Sequence, residues 1–529
     1  MTSTVRSARP PRAPWLRALL DELSDLLTPP WERGLLSPRA ALAVGGAALL
    51  LAFLIATQPL RYVAGGLAAG VFFVLALVRP EVGLGLILFS IPFGALAEVV
   101  VGGIALTVTQ PLIALVVLAW VLRVAAARRA DFRWSPMIIP FVIYLLLFAQ
   151  SVALAEGLLL AVKEYAKFVE AFLLLIVTVN VVRTQRQVIF LVSCLIAAGA
   201  LAATQGWYQF FLRRGPEGFL VAERFIRAHG EFGQPNPYAG FLNLGLPIIF
   251  AILLVAVTQQ RERAAAAGRG GTIVLGLPLL FAAGAGVLMT GAEAMSFSRA
   301  GWLALAAAVV AILATRSRRT FLLLLGGVTA GLVIWLFGAL DLLPPVVLER
   351  LRPIADTFSV FDISEVELTA ENWSVVERMA TWQAAADMFA TNIWYGIGPG
   401  NFQRLWPEFG ALEWVLRGTN PPHAHNYYLN ALAESGIVGL TAYLLLIVSA
   451  FAYTTVRIRG AQRRGAWAGH PYAHPLALAL GMLGVLIAIS VHHLFDSVFV
   501  RGMTAQVGLM LGLVEAGWQV SSGTQGEGA

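Results

Sequence analysis

Read only for hydrophobic and polar positions, the chain from about residue 40 onward is a succession of apolar runs separated by short polar turns. A bilayer core takes about 20 apolar residues per helix. On that ruler the pattern predicts spans near 40–57, 61–78, 82–98, 105–122, 136–154, 162–182, 187–212, 238–257, 272–290, 299–315, 320–340, 428–456, 474–492 and 498–518. The expected fold class is all-α, a polytopic transmembrane helical bundle of about 12–14 spans, the lower count applying if a short run is re-entrant. Before the first span, Leu16, Leu19, Leu20, Leu23, Leu26 and Leu27 recur at helical spacing opposite Arg17, Asp21, Glu22 and Asp25, which predicts an amphipathic helix at the membrane surface. No cleavable signal peptide is visible, because the first long apolar run starts near Ala40 and another follows at once. The division expected is a cytoplasmic N-terminal segment at 1–39, transmembrane helices at 40–340, a large outward loop at 341–427, further spans at 428–518 and a cytoplasmic tail at 519–529.

Composition agrees with that pattern: 58% of the 529 residues are hydrophobic and only 13% are charged. The net charge of +7 does not require nucleic acid, since cytoplasmic loops of membrane proteins carry excess Arg and Lys. Arg placement then sets the orientation. With the N-terminus inside, the inside turns hold Arg79, Arg123, Arg128, Arg129, Arg133, Arg183, Arg186, Arg261, Arg263, Arg269, Arg316, Arg318, Arg319, Arg457, Arg459, Arg463 and Arg464. Three outward segments break the rule: 213–237 with Arg213, Arg214, Arg224 and Arg227, the 291–299 turn with Arg299, and 341–425 with Arg350, Arg352, Arg378, Arg404 and Arg417. Outward arginines either pair with Glu217, Glu223, Glu231, Glu349 or Glu377, or serve an anionic substrate. The lone Cys194 sits in an apolar span, so no disulfide within the chain is possible.

The outward loop is too long to be an idle connection. Within it, Ser374-Val375-Val376-Glu377 has the form of a capping box, predicting a helix to about Thr391 with Arg378, Trp382, Ala385 and Phe389 on one stripe. Gly396-Ile397-Gly398-Pro399-Gly400-Asn401 predicts tight turns; with no strand before it and no Lys-Ser/Thr after it, it is not a nucleotide loop. Lys163, Lys167 and Glu170 share one helical face with Glu164 beside them. They read as a buried ionic site or, preferably, as an outer extension of the span with its charges paired along the helix.

Candidate chemistry concentrates at Pro421-Pro422-His423-Ala424-His425-Asn426, where an apolar helical pattern begins. Neutral imidazole accepts a proton near physiological pH. A helix N-terminus behind it disfavours imidazolium and suits an anion such as diphosphate. A His-x-His pair also binds metals, but no third and fourth ligand stands at convincing spacing. Arg299 opens a span and presents a planar cationic fork that matches phosphate, although an arginine at a span end also snorkels. Arg378 lies on the predicted loop helix, with Glu377 and Glu371 as alternative partners.

His425-Asn426, nine residues, Gly436, two residues and Gly439 match the His-Asn signature of the bacterial O-antigen ligase and polymerase superfamily, which the chain resembles over about 200–450 in order. Phe232-Gly233-Gln234-Pro235-Asn236-Pro237-Tyr238 resembles the family's outer mouth of a central span. Ser298-Arg299-Ala300-Gly301 resembles its Ser-Arg-Gly-type turn, and Gly396 to Phe402 the turn before the His motif. The resemblance implies an inverting membrane glycosyltransferase of the GT-C type, in the inner (plasma) membrane, with its active site on the periplasmic or extracellular face. It implies a polyprenyl-diphosphate-linked glycan as donor, a lipid or glycan acceptor, membrane lipid around it, and no cofactor, nucleotide sugar or required metal. By the same resemblance His425 is the catalytic base, and Arg299 and Arg378 bind the diphosphate. His423, Asn426, Asn236 and Glu434 support them. Arg378 is followed by Trp382 where the family often has Leu. A ligase acting on lipid A-core, a polymerase acting on another lipid-linked repeat and a protein O-glycosylating enzyme share this chemistry. The competing class is a transporter or flippase, whose function would reside in Lys163, Lys167 and Glu170.

Overall fold

The apolar runs are helical in a computed structural model that describes residues 60–526 apart from 95–97, 102–103, 128–130, 222–223, 267–274, 316–318, 324–325, 328–372, 411–418, 466 and 468. The expected surface helix at 15–27, the span at 40–57, most of the span at 320–340 and the first part of the long loop, with Arg350, Arg352 and Glu371, lie outside the described residues. In chain order the helices are α1 (Leu60–Val78), α2 (Pro80–Phe93), α3 (Thr109–Ala126), α4 (Ile138–Ala153), α5 (Leu158–Val181), α6 (Gln185–Phe211), α7 (Pro235–Ala266), α8 (Leu277–Met295), α9 (Arg299–Ala314), α10 (Trp373–Thr391), α11 (Phe402–Phe409), α12 (Tyr427–Arg464), α13 (Pro475–His492) and α14 (Met503–Gly526). Two small antiparallel hairpins, Glu98–Val101 with Ile104–Thr107 and Leu220–Val221 with Phe225–Ile226, were not anticipated from the hydrophobic period. Six helices, α3, α6, α7, α8, α12 and α13, are long and apolar enough to cross a membrane. Apolar stretches of α1, α2, α4 and α9 are shorter. The chain is thus an all-α, multi-pass membrane protein. Helix α14 continues to Gly526, so the boundary expected at 518 falls inside it.

Successive helices reverse direction and gather their ends at two opposite faces. At one face Tyr427 N–H donates to His493 O and Ala228 N–H to Met295 O. At the other, Tyr472 Oη donates to Pro278 O (2.5 Å) and Gln519 Nε2 to Trp134 O (2.9 Å). α7 and α13 form the centre, with 78% and 72% of their apolar windows buried, against 28% for α3 at the rim. With no water to expel between lipid-facing helices, close backbone packing has to supply the attraction. Small residues provide it: a Cβ at Gly508 on α14 would fall on the Ala171 carbonyl of α5, and one at Gly512 would press on Leu175 and Thr178.

Gly436 interrupts α12. Its φ of 63° and ψ of −168° divide the helix into a short outer piece and a long inner one. The turn before α11 fills the break from both sides. Ile397 N–H donates to Ala433 O and Gly398 N–H to Glu434 O, while Ile437 N–H donates to Ile393 O and Val438 N–H to Trp394 O. A Cβ at position 436 would collide with the Trp394 carbonyl, and positive φ disfavours other residues. The first glycine of the motif is therefore a hinge point that seats a loop. That loop and α10 build a second small core around Val376, Ala380, Met388, Phe402, Trp406 and Ala433, which holds the segment carrying His423 and His425.

Candidate active site

Asn426 starts the outer piece of α12: its side chain accepts from Tyr428 N–H (3.0 Å) and Leu429 N–H (3.1 Å). An Asn cap satisfies donors that a helix N-terminus otherwise leaves bare. The histidines come immediately before. Ala424 N–H donates to Asn430 Oδ1 (3.1 Å) and Thr381 Oγ1 to Ala424 O (3.1 Å), so α10 and α12 together fix the loop. His425 adopts φ of 50°, a left-handed conformation uncommon outside glycine.

His423 and His425 converge on a residue that sequence reasoning missed. Asp496, buried between α13 and α14, places Oδ1 3.4 Å from His423 Nε2 and 3.7 Å from His425 Nδ1. The same oxygen accepts from Ser497 N–H (2.8 Å), and Oδ2 accepts from Asn236 Nδ2 (2.8 Å). Burial alone raises a carboxyl pKa, but the nearby imidazoles, His425 foremost and then His423, together with the Asn236 amide override it and hold Asp496 well below the usual carboxylate range. His423 is lowered, chiefly by burial and against the opposing pull of Asp496. His425 N–H donates to His423 Nδ1 (3.2 Å). That nitrogen must therefore carry a lone pair, and the neutral ring keeps its proton on Nε2, facing Asp496. With both nitrogens committed, His423 is a strut, and His425 is the ring available for proton transfer. The three groups lie within 4.8 Å of one another, a spacing that could also hold a metal ion. The third ligand type judged missing from the sequence is thus supplied by Asp496.

Asn236 carries the arrangement across to the arginine turn. Its Oδ1 accepts from Ser298 Oγ (2.9 Å), and Ser298 Oγ in turn accepts from Gly301 N–H (3.2 Å), capping α9, whose first residue is Arg299. Three side-chain contacts therefore lead from the residue beside Arg299 to His425. A second missed residue stands on the arginine side. Arg227 donates through Nε to Ser296 O (2.8 Å) and through Nη2 to Phe297 O (3.3 Å). Burial first, then the charges of Arg299 and Arg378, lowers it to about 10, so it stays cationic at neutral pH. Arg227 thus meets the charges of two further guanidinium groups from separate segments, a field that would suit an anion. The outward segment 213–237 had been flagged for its arginines, but nothing in the sequence distinguished Arg227.

The remaining expected residues have other duties. Glu434 is buried and accepts from Phe402 N–H (3.0 Å), fastening the loop at the Gly436 kink. Lys167 binds Glu164 one turn away (2.6 Å) and donates to Phe499 O (3.3 Å). This pair fits the extension of the span preferred from sequence, while Glu170 is half-buried and forms no ion pair among the described residues. Lys163 is exposed.

Residues 284–444 match the family model described as O-antigen ligase. The matched stretch includes Arg299, Arg378, His425, Gly436 and Gly439; Arg227, Asn236 and Asp496 lie beyond its ends. No curated protein matches the chain.

Proposed function

We propose that the chain, whose residues 284–444 match the O-antigen ligase family model, is a ligase-type inverting glycosyltransferase. It moves a glycan from a polyprenyl diphosphate to an acceptor hydroxyl, such as one on lipid A-core or another surface glycan, on the outer face of the inner membrane. The observation that carries this reading is the hydrogen-bonded path Ser298–Asn236–Asp496 joining the turn of Arg299 to the ring of His425.

The donor's prenyl tail lies among the helices, and its diphosphate lies between Arg299, Arg378 and Arg227. With Nδ1 of His425 directed at Asp496, Nε2 faces the opposite way and takes the acceptor's hydroxyl proton. The oxygen attacks the anomeric carbon from the side opposite the diphosphate. The carbon–oxygen bond to the diphosphate breaks, and its electron pair leaves with the lipid diphosphate. The guanidinium groups stabilise the charge growing there. His425→Ala, assayed in the purified full chain with a lipid-linked glycan, is expected to lose about 10²–10⁴-fold in turnover, the usual contribution of a positioned base, with the protein still folded. Near-normal turnover would remove the assignment.

A further inference from the structure

The turn that fills the break in α12 carries two large apolar side chains at its surface. Ile393 is 50% exposed and Trp394 65%. Their backbone is fixed on both sides. Ile393 O accepts from Ile437 N–H (2.9 Å) and Trp394 O from Val438 N–H (3.2 Å), while Gly396 N–H donates to Asn392 O (2.8 Å) and Tyr395 N–H to Asn392 Oδ1 (3.1 Å). The two side chains therefore project from a tied turn that holds them outward. A water-facing surface tolerates single apolar residues, but a continuous apolar patch marks a contact.

The neighbouring helices show what that contact is. Ile437, the first residue after the break, opens an exposed stripe of α12 that continues through Leu445 and Val448. α12 is long and apolar enough to cross a membrane, and in a bundle such a stripe faces lipid. Leu146 on α4 and Leu154 just past its end are exposed as well. That end lies beside the turn: Ser151 Oγ donates to Ser435 O (3.2 Å), and a Cβ at Gly398 would fall on Ala155. The turn thus continues the lipid-facing surface of two helices at the level where both end or break.

We infer that the Ile393–Trp394 turn is a membrane anchor of the outward loop, seated in the interface of the leaflet at the His425 end. Its partner is the lipid surface itself. Trp suits that depth, with an apolar ring toward the acyl chains and an N–H toward the headgroups. The consequence reaches the histidine segment. The same turn ties the outer piece of α12, which begins just after His425, to the inner piece. Lipid contact at 393–394 therefore sets the height at which that segment stands over the bilayer. This seating does not depend on the glycosyl-transfer reading.

The test is a depth measurement on the full chain in vesicles of phosphatidylethanolamine and phosphatidylglycerol. Cys194 is the lone cysteine and is buried, so the background is Cys194→Ala. Ile393→Cys and Trp394→Cys are spin-labelled separately, and collisions with oxygen are compared with collisions with a water-soluble nickel chelate. Leu445→Cys on the lipid-facing stripe and Gln403→Cys, exposed on α11, supply the hydrocarbon and water references. Both turn labels are expected on the lipid side of the phosphates, within about 5–10 Å of them, the depth of interfacial apolar groups. Ile393→Cys retains Trp394, so it reads the anchor even if loss of the indole disturbs the turn. Nickel access equal to that at Gln403→Cys would overturn the inference. So would nickel exclusion accompanied by dipolar coupling between labels on separate copies, which would assign the face to a second copy of the chain.

Discussion

The two ends of the bundle use the same residue, arginine, in opposite ways. At the end where α12 and α14 finish, several arginines have a defined partner. Arg457 binds Glu515 (2.5 Å). Arg464 lies 3.5 Å over the Trp518 ring and donates to Ser521 and Ser522. Arg183 binds Asp131 (2.9 Å). At the end bearing His425, Arg227 is held by backbone carbonyls and faces Arg299 and Arg378, whose charges oppose its own. Backbone conformation divides the same way. The four non-glycine residues with positive φ among the described residues, Arg213, Phe297, His425 and Arg501, all lie at the His425 end. Quenched charge with relaxed backbone is the signature of topology and stability. Opposed charge with strained backbone marks the end where function is to be sought first.

The comparison can be broken from either side, and the largest effect is expected at the quenched end. Glu515→Ala removes the buried counter-charge of the half-buried Arg457, and breaking a buried pair typically costs about 3–5 kcal/mol. Thermal unfolding in detergent should register that loss while turnover per folded molecule stays within about twofold. A large drop in turnover with unaltered stability would erase the distinction between the ends. Next come Arg299→Ala and Arg378→Ala, each expected to lower kcat by about 10²–10³-fold, equivalent to about 2.7–4 kcal/mol of transition-state stabilisation, with the protein still folded. Loss of fold without a specific loss of kcat would reassign both arginines to structure.

Gly436→Ala should follow. Forcing positive φ on alanine costs on the order of 1–3 kcal/mol, and the Cβ meets the Trp394 carbonyl. The expected readout is faster proteolysis of the loop between α10 and α12, and full resistance would contradict the hinge-point role. The smallest effect concerns acid. The folded pKa of His423 is depressed, so its contribution to stability is complete above the unfolded value near 6.5 and declines as pH falls below it. Melting temperature should therefore drop between about pH 6.5 and pH 5, and less so in His423→Asn. An equal drop in that variant would exclude His423 as the source.

Much of this was legible from local pattern. Run length located the helices, the spacing of Ser374 and Glu377 anticipated α10 as far as Thr391, and Asn426 begins α12 where a helical pattern was expected to start. Such features depend on neighbours within a few residues, where backbone geometry translates spacing directly into position. The sequence by itself therefore determined that the chain is an apolar helical bundle, that a histidine stands before a helix N-terminus, and that arginines occur where topology does not ask for them. Only the tertiary structure decided which of them meet. Asp496, Arg227 and the loop seated at Gly436 reach the site from separate connections, and their pairing depends on how closely helices such as α5 and α14 approach. Packing sets that distance, and no local spacing along the chain encodes it.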